Sequence, residues 1–334
     1  MADEYKGKLI PCKGSGQLRG IIVGKDNPKK GNGFIEGKTN DQVPYRSIRF
    51  LVKTNTDNIV PVELYGQVQE KAYLYNKKIK DTKPVIWTKR FDKALDGYDL
   101  ILPTYDLVKK IDEDFKDGVS VLIIGENMFS EYTPANSDKA QLQTKFTIKI
   151  IRTATAPVDF ASNKFEEECY FIQEIIIREI VEVASENKLD VYAYVLESRG
   201  KKKAPIIQPA LFEINTEAAD KDFVRNMKAL KFGDFIKING KIQCRALTEE
   251  VIENDGWGKK EKAVVKYYKA MEITGAYGET LEKKKYTEED LVISNTEATF
   301  NGTGDAAKKV LEQLEKEAAE GGEDTPEWLK EMKE

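Results

Sequence analysis

The chain has 334 residues, no histidine, three cysteines and a formal net charge of −4. Without imidazole the commonest general base and metal ligand are missing, so Ser-His-Asp and Cys-His hydrolases, histidine-zinc enzymes and histidine-dependent nucleases are excluded. No apolar run reaches membrane-spanning length, Met1-Ala-Asp-Glu-Tyr-Lys6 lacks the apolar stretch of a secretory signal, and Cys12, Cys169 and Cys244 match no zinc spacing, so a cytoplasmic protein with reduced thiols is expected.

In chain order, a first strand reads Leu18-Arg-Gly-Ile-Ile-Val-Gly-Lys25, followed by a loop rich in Gly, Asn and Lys. Phe34 to Glu36 is placed to pair with the next strand across a Gly37–Asp41 turn. Tyr45 to Lys53 alternates, with Ile48, Phe50 and Val52 on one face and Tyr45, Ser47, Arg49 and Lys53 on the other. Asn58 to Gly66 turns Val60, Val62 and Leu64 inward and Ile59, Glu63 and Tyr65 outward. Residues 67–104 are long for a connection and set Lys77, Lys78, Lys80, Lys89 and Arg90 among Tyr73, Tyr75, Trp87 and Phe91. A loop of that length is expected to be functional or disordered.

Next comes a helix from Tyr105 to Phe115, then Asp117-Gly-Val-Ser-Val-Leu-Ile-Ile-Gly125. The same order returns as a helix from Lys221 to Leu230 and Phe232-Gly-Asp-Phe-Ile-Lys-Ile-Asn-Gly240. Helix, glycine turn, short apolar strand and closing glycine is how the fourth strand of an OB barrel is reached. Two copies point to two barrels in tandem. Lys145 to Arg152 closes the first. The second runs from Tyr170–Arg178 through Leu189–Leu196 and Ile206–Ile214 to Val264–Thr274, with Gly256-Trp-Gly-Lys-Lys260 at a hairpin tip. The expected organisation is a first OB-fold domain at 1–156 with insertion 67–104, and a linker at 157–169. A second OB-like domain occupies 170–280, and an acidic, mostly disordered tail 281–334. The fold class is all-β, with short helices.

The motifs for catalysis are weak. Asn32-Gly-Phe-Ile-Glu-Gly-Lys-Thr39 approaches a P-loop, but its leading position is Asn32 and a strand-like segment comes next, where a P-loop must open a helix whose amides hold phosphate. The acidic clusters Asp112–Asp114, Glu166–Glu168 and Glu288–Asp290 lack a calcium-loop pattern and read as solvated faces. No cofactor, metal or reaction is expected.

Charge is divided along the chain. Residues 1–110 carry 21 Lys/Arg against 13 Asp/Glu, whereas 281–334 carry 8 against 15. A basic front with outward aromatics is what binding of single strands needs: cations along the phosphates and flat rings under the bases. Arg49, Lys53, Tyr65, Trp87, Lys89, Arg90 and Tyr132 are the candidate groove.

Taken in order, these segments resemble bacterial and phage single-stranded DNA-binding proteins of the SSB class over roughly 17–155, with a weaker echo over 170–277. Leu18 to Lys25 looks like the family's first strand and Ser47 to Thr54 like its second. Val60-Pro-Val-Glu-Leu-Tyr-Gly66 resembles the strand ending in an aromatic-Gly pair, and Phe115 to Glu126 the Lys-Gly, strand, Gly segment. The resemblance implies stacking roles for Tyr65 and Tyr132. It departs from the family at Ile59, where a stacking tryptophan is frequent (Trp87 is the expected substitute), at Leu247, the counterpart of Tyr132, and in a tail that ends without Pro-Phe. Tandem barrels and the divergent tail imply a phage or mobile-element member.

The expected function is to coat single-stranded DNA in replication or recombination, without catalysis, as a monomer or homo-oligomer. Trp328, Leu329 and Met332, set among acids, are the expected contacts of the tail with a replication or recombination protein. A protein-interaction scaffold of paired barrels and a carboxylate-metal nuclease are the other readings.

Overall fold

The computed structural model describes residues 5, 7–26, 32–92, 95–132, 141–200, 203–254 and 259–291, without the side chains of 246–254 and 259–267. Trp257, Trp328, Leu329 and Met332 lie outside the described residues, as does the side chain of Leu247.

The first half contributes strands β1 (Gly14–Val23), β2 (Gly33–Lys38), β3 (Pro44–Lys53) and β4 (Ile59–Gln67). The insertion adds β5 (Lys71–Asn76), β6 (Asp81–Ile86) and β7 (Asp99–Ile101), then come helix α1 (Thr104–Asp114), β8 (Ser120–Tyr132) and β9 (Gln141–Thr153). β1 pairs with β3 and β8, β3 with β4, β8 with β9, and β4 closes on β9 in parallel at Val62–Phe146. This is a five-stranded OB barrel, its helix lying between the third and fourth barrel strands. The second half repeats it with β10 (Cys169–Val183), β11 (Lys188–Glu197), β12 (Ile206–Asn215), α2 (Lys221–Lys228), β13 (Phe235–Asn254) and β14 (Lys259–Glu282). There the parallel closure is β12 on β14 at Glu213–Glu272. Alternation decides which side chains enter: Ile48, Phe50 and Val52 of β3 and Val60, Val62 and Leu64 of β4 are buried as their period-two pattern requires. In α1, Tyr105, Val108 and Ile111 recur at helical spacing and form its buried stripe.

The glycine turns are as expected: Gly118 and Gly233 adopt φ of +86° and +82°, a region that L-residues with a Cβ avoid. The closing glycines do something else. β8 and β13 run straight through Gly125 and Gly240 and continue well past them. At each the register shifts by a bulge, and a Cβ would collide with the carbonyl oxygen of Thr147 or Glu272 on the neighbouring strand. Close backbone approach, not a strand end, requires glycine there.

The barrels are joined as a pseudo-symmetric pair. β1 and β10 run antiparallel from Gly14–Gln173 to Leu18–Cys169, centred on Gly16–Phe171. These two residues are equivalent, because Gly16 faces Gly125 and Phe171 faces Gly240. Equivalent positions paired antiparallel define a local two-fold axis. About it each barrel lends its long hairpin to the other. Beyond Gly125, Phe129 stacks obliquely on Phe212 of the second barrel at 5.6 Å, and its N–H donates to Glu197 Oε1 at 3.1 Å. Reciprocally, the Cys244 N–H donates to Asn58 Oδ1 at 2.7 Å and Asn58 Nδ2 to the Ile242 carbonyl at 2.9 Å. One apolar cluster runs through both barrels.

Three segments differ from the sequence reading. The insertion is more than a loop: β6-β5-β7 form a separate sheet whose inner face (Ala72, with Val85 and Leu100) packs on Trp87 and Tyr105. The acids before β10 are not a solvated run, since Glu167 accepts from Thr54 Oγ1 and Asn58 Nδ2, both at 2.8 Å, and Glu168 pairs with Arg19. Likewise Asp112 accepts from the buried Lys25 ammonium at 2.7 Å. Finally, the chain stays attached past residue 281. Tyr286 and Leu291 are buried with Leu9, Ile176 and Phe235, and the Lys284 N–H donates to Asp234 Oδ1 at 2.8 Å.

Candidate nucleic-acid interface

The outer face of β2, β3 and β4 carries the candidate groove. Register sets its rows: Gly37, Tyr45 and Gln67; Ile35, Ser47 and Tyr65; Gly33, Arg49 and Glu63. Tyr45 and Tyr65 stack with centroids 5.3 Å apart and planes inclined by 29°. Tyr65 remains 49% exposed, and its hydroxyl accepts from Gln67 Nε2 at 2.6 Å. Two rings thus make a platform with an open side. Beside it Arg49 is exposed, and Lys53 holds its ammonium 5.5 Å from the Phe160 ring centroid.

A cation cluster adjoins the platform. Lys145 on β9 lies 3.3 Å from Glu63, which sits opposite Arg49. Lys269, from β14 of the second barrel, donates to the Thr144 carbonyl. Its pKa is depressed, first by partial burial of the ammonium and then by the positive charges of Arg49 and Lys145, with Cys244 and Glu63 acting the other way. Among the described residues, Glu63 is the carboxylate that faces Arg49 across the register, pairs with Lys145 and acts on Lys269. Such a surplus of positive charge favours an anion.

Of the residues expected from sequence, Arg49, Lys53 and Tyr65 are brought together on this face. Tyr132 is not beside them. It stands at the end of β8, donates from its hydroxyl to Gln141 Oε1 at 3.1 Å, and lines a cleft of about 270 Å³ with Leu142, Leu211 and Lys269. Lys269 is the link between that cleft and the cation cluster. Trp87 is corrected outright. It is 8% exposed and packs edge-on against Tyr105 at 6.0 Å, so it offers no face to a base. Arg90 lies 4.2 Å over the Trp87 ring and forks onto Asp106 at 2.7 and 2.9 Å, which commits its guanidinium to the fold. Lys89 is exposed on the insertion, apart from the rows of the platform. Sequence reasoning put Tyr45 on the correct face without naming it a site residue, and missed Lys145 and Lys269. Alternation in the fifth strand could have flagged Lys145. Nothing local flags Lys269.

The second barrel answers this face with opposite charge. Aligning the parallel closures makes Glu213 the counterpart of Glu63, Asp190 that of Arg49, and Glu272 that of Thr147. Tyr65 is replaced by Asn215 and Ser47 by Lys188. A cavity of about 310 Å³ lies there, lined by Glu186, Lys188, Glu213, Arg245, Tyr268 and Glu272. Lys188 Nζ is within 3.0 Å of Glu186, 3.2 Å of Glu213 and 3.4 Å of Asp190. Burial works against that ammonium, but Glu186 and Glu213 prevail and raise its pKa. No group of three or more His, Cys, Asp or Glu side chains is placed to hold a metal among the described residues, and no helix among them is long and apolar enough to cross a membrane.

The model of the family described as YorF matches residues 23–316. No curated protein matches the chain. Among solved structures, the wild-type single-stranded DNA-binding protein from Thermus aquaticus is similar at a TM-score of 0.39 and 7% identity, over 82% of this chain and 94% of that one. A deletion and point variant of the same protein gives a TM-score of 0.39 and 7% identity, over 82% and 96%.

Proposed function

The chain belongs to the YorF family, and we propose that it binds single-stranded DNA along the outer face of the first barrel. It does so without catalysis, as a coating protein of replication or recombination in the cytoplasm. One observation carries this reading: the half-exposed Tyr45–Tyr65 platform lies beside a cluster of Arg49, Lys145 and Lys269, with Glu63 as its carboxylate among the described residues. The division of labour is simple. Bases stack on Tyr65 for about 1–3 kcal/mol each, whatever their identity. Phosphates displace counterions at Arg49, Lys53, Lys145 and Lys269, at a slope of about 0.7 per phosphate. Glu63 keeps the cations oriented before a strand binds and yields part of its pairing when a phosphate arrives. The second barrel's acidic face repels the backbone, so it supports the first barrel through the exchanged hairpin and supplies Lys269.

A strand that contacts six to ten phosphates should give a log-log salt slope of about −4 to −7 with oligo-dT. Equal affinity for duplex, or none for oligo-dT at low salt, would refute the reading and leave the paired barrels as a protein-interaction scaffold.

A further inference from the structure

The insertion sheet carries a second surface that strand binding does not use. Its inner face is spent on Trp87 and Tyr105, but the outer face is apolar and open. Register puts Ile101, Tyr73 and Pro84 in one row across all three strands, with Ile86 beside Pro84 on the same side. Ile86, Ile101 and Tyr73 are 59%, 49% and 47% exposed. Around this patch the net charge is positive: Glu70 to Ile101 carries eight Lys/Arg against five Asp/Glu, with Asp99 on the outer face beside Ile101 and 3.9 Å from Lys77. A contiguous apolar patch with a charged rim marks a docking site.

We propose that the occupant is this chain's own C-terminal segment, 323–334. Residues 292–334 hold eleven Asp/Glu against five Lys, the opposite sign to the rim. Their last large apolar groups are Trp328, Leu329 and Met332, embedded in Glu323, Asp324, Glu327 and Glu331. Within 323–334 five Asp/Glu stand against two Lys, so an apolar centre with a net acidic border meets an apolar patch with a net basic one. Reach is not limiting. The chain leaves its last buried anchor at Leu291, and the 37 residues to Trp328 can extend up to about 120 Å. A globule of this length has a radius of gyration of only about 20 Å. Tethering also gives the segment an effective concentration near millimolar, which a separate partner must exceed. Docked there, the acids sit on the insertion and not over the cations of the strand-binding face.

The test is photo-crosslinking in the full chain with a benzophenone amino acid in place of Tyr73. The expected product is a monomer-sized species in which position 73 is joined to a peptide from 323–334. It should persist at saturating oligo-dT and be lost in a Trp328→Ala, Leu329→Ala, Met332→Ala variant, which alters no residue of either barrel. A dimer-sized product, no product, or a product chased away by oligo-dT would each overturn the proposal. The last would put the segment in the strand-binding groove instead. The crosslink formed before oligo-dT is added reads docking alone, so the docking and strand-binding readings can fail separately.

Discussion

Removing the three clustered cations together, as Arg49→Gln, Lys145→Gln and Lys269→Gln, gives the sharpest test of the groove. Each is exposed or at a strand surface, and glutamine keeps the length and polarity that the barrel tolerates. If each neutralises one phosphate, the salt slope should shrink by about 0.7 per residue, or about 2 in total. Across a tenfold rise in salt, the variant should then lose about 100-fold less affinity than the parent. Fluorescence anisotropy of labelled oligo-dT at several sodium chloride concentrations reads both slopes. Lys269 adds a pH signature. Its pKa is lowered in the free protein by burial and by Arg49 and Lys145, and a bound phosphate restores it. Binding therefore takes up a proton, so affinity should fall as pH rises through that lowered value, below the ordinary lysine range of about 10.4. Lys269→Gln alone should flatten the decline. A folded triple variant whose slope stays within about 0.5 of the parent's would show that these cations do not meet the phosphates.

Tyr65→Ala should weaken oligo-dT binding by about 1–3 kcal/mol. Trp87→Ala should leave binding unchanged but cost about 3–5 kcal/mol of stability in chemical denaturation; the reverse pattern would restore the sequence-based assignment. Asn58→Ala strips the buried contacts to Ile242, Cys244 and Glu167 and should destabilise by about 2–4 kcal/mol. A loss below about 0.5 kcal/mol, read by urea unfolding, would mean the barrels are not locked at this point. Burial pushes the Cys12 and Cys169 thiols up to about 12 and Cys244 up to about 11. Raised acid pKa values favour the neutral, folded thiol, so stability should fall as pH climbs above about 8.5, where the unfolded thiols ionise. Native protein at pH 8 should react with Ellman's reagent far more slowly than protein in denaturant.

Both barrels were legible because their strand alternation and glycine turns are local. Gly118 and Gly233 need positive φ, and no partner far along the chain alters that. The outward set on β3 and β4 was legible for the same reason. Trp87 was not. An aromatic among lysines reads as exposed, and only the arrival of Tyr105 and Asp106 from α1 buries it and occupies Arg90. The run past Gly125 was hidden because a glycine forced by a neighbouring carbonyl looks the same in sequence as one ending a strand. Lys269 was beyond reach altogether: it reaches the Thr144 carbonyl, within the electrostatic influence of Arg49, only because the second barrel's hairpin crosses the local axis.

That axis has a consequence for how the two faces acquired opposite sign. In a dimer of identical barrels every substitution appears twice, so a carboxylate in place of Arg49 would spoil both grooves at once. Covalent linkage of the halves breaks that bond between copies. One half is free to take Asp190 and Glu272 where the other has Arg49 and Thr147. If the proposed strand binding holds, such a molecule offers a strand one basic entrance where a symmetric pair would offer two.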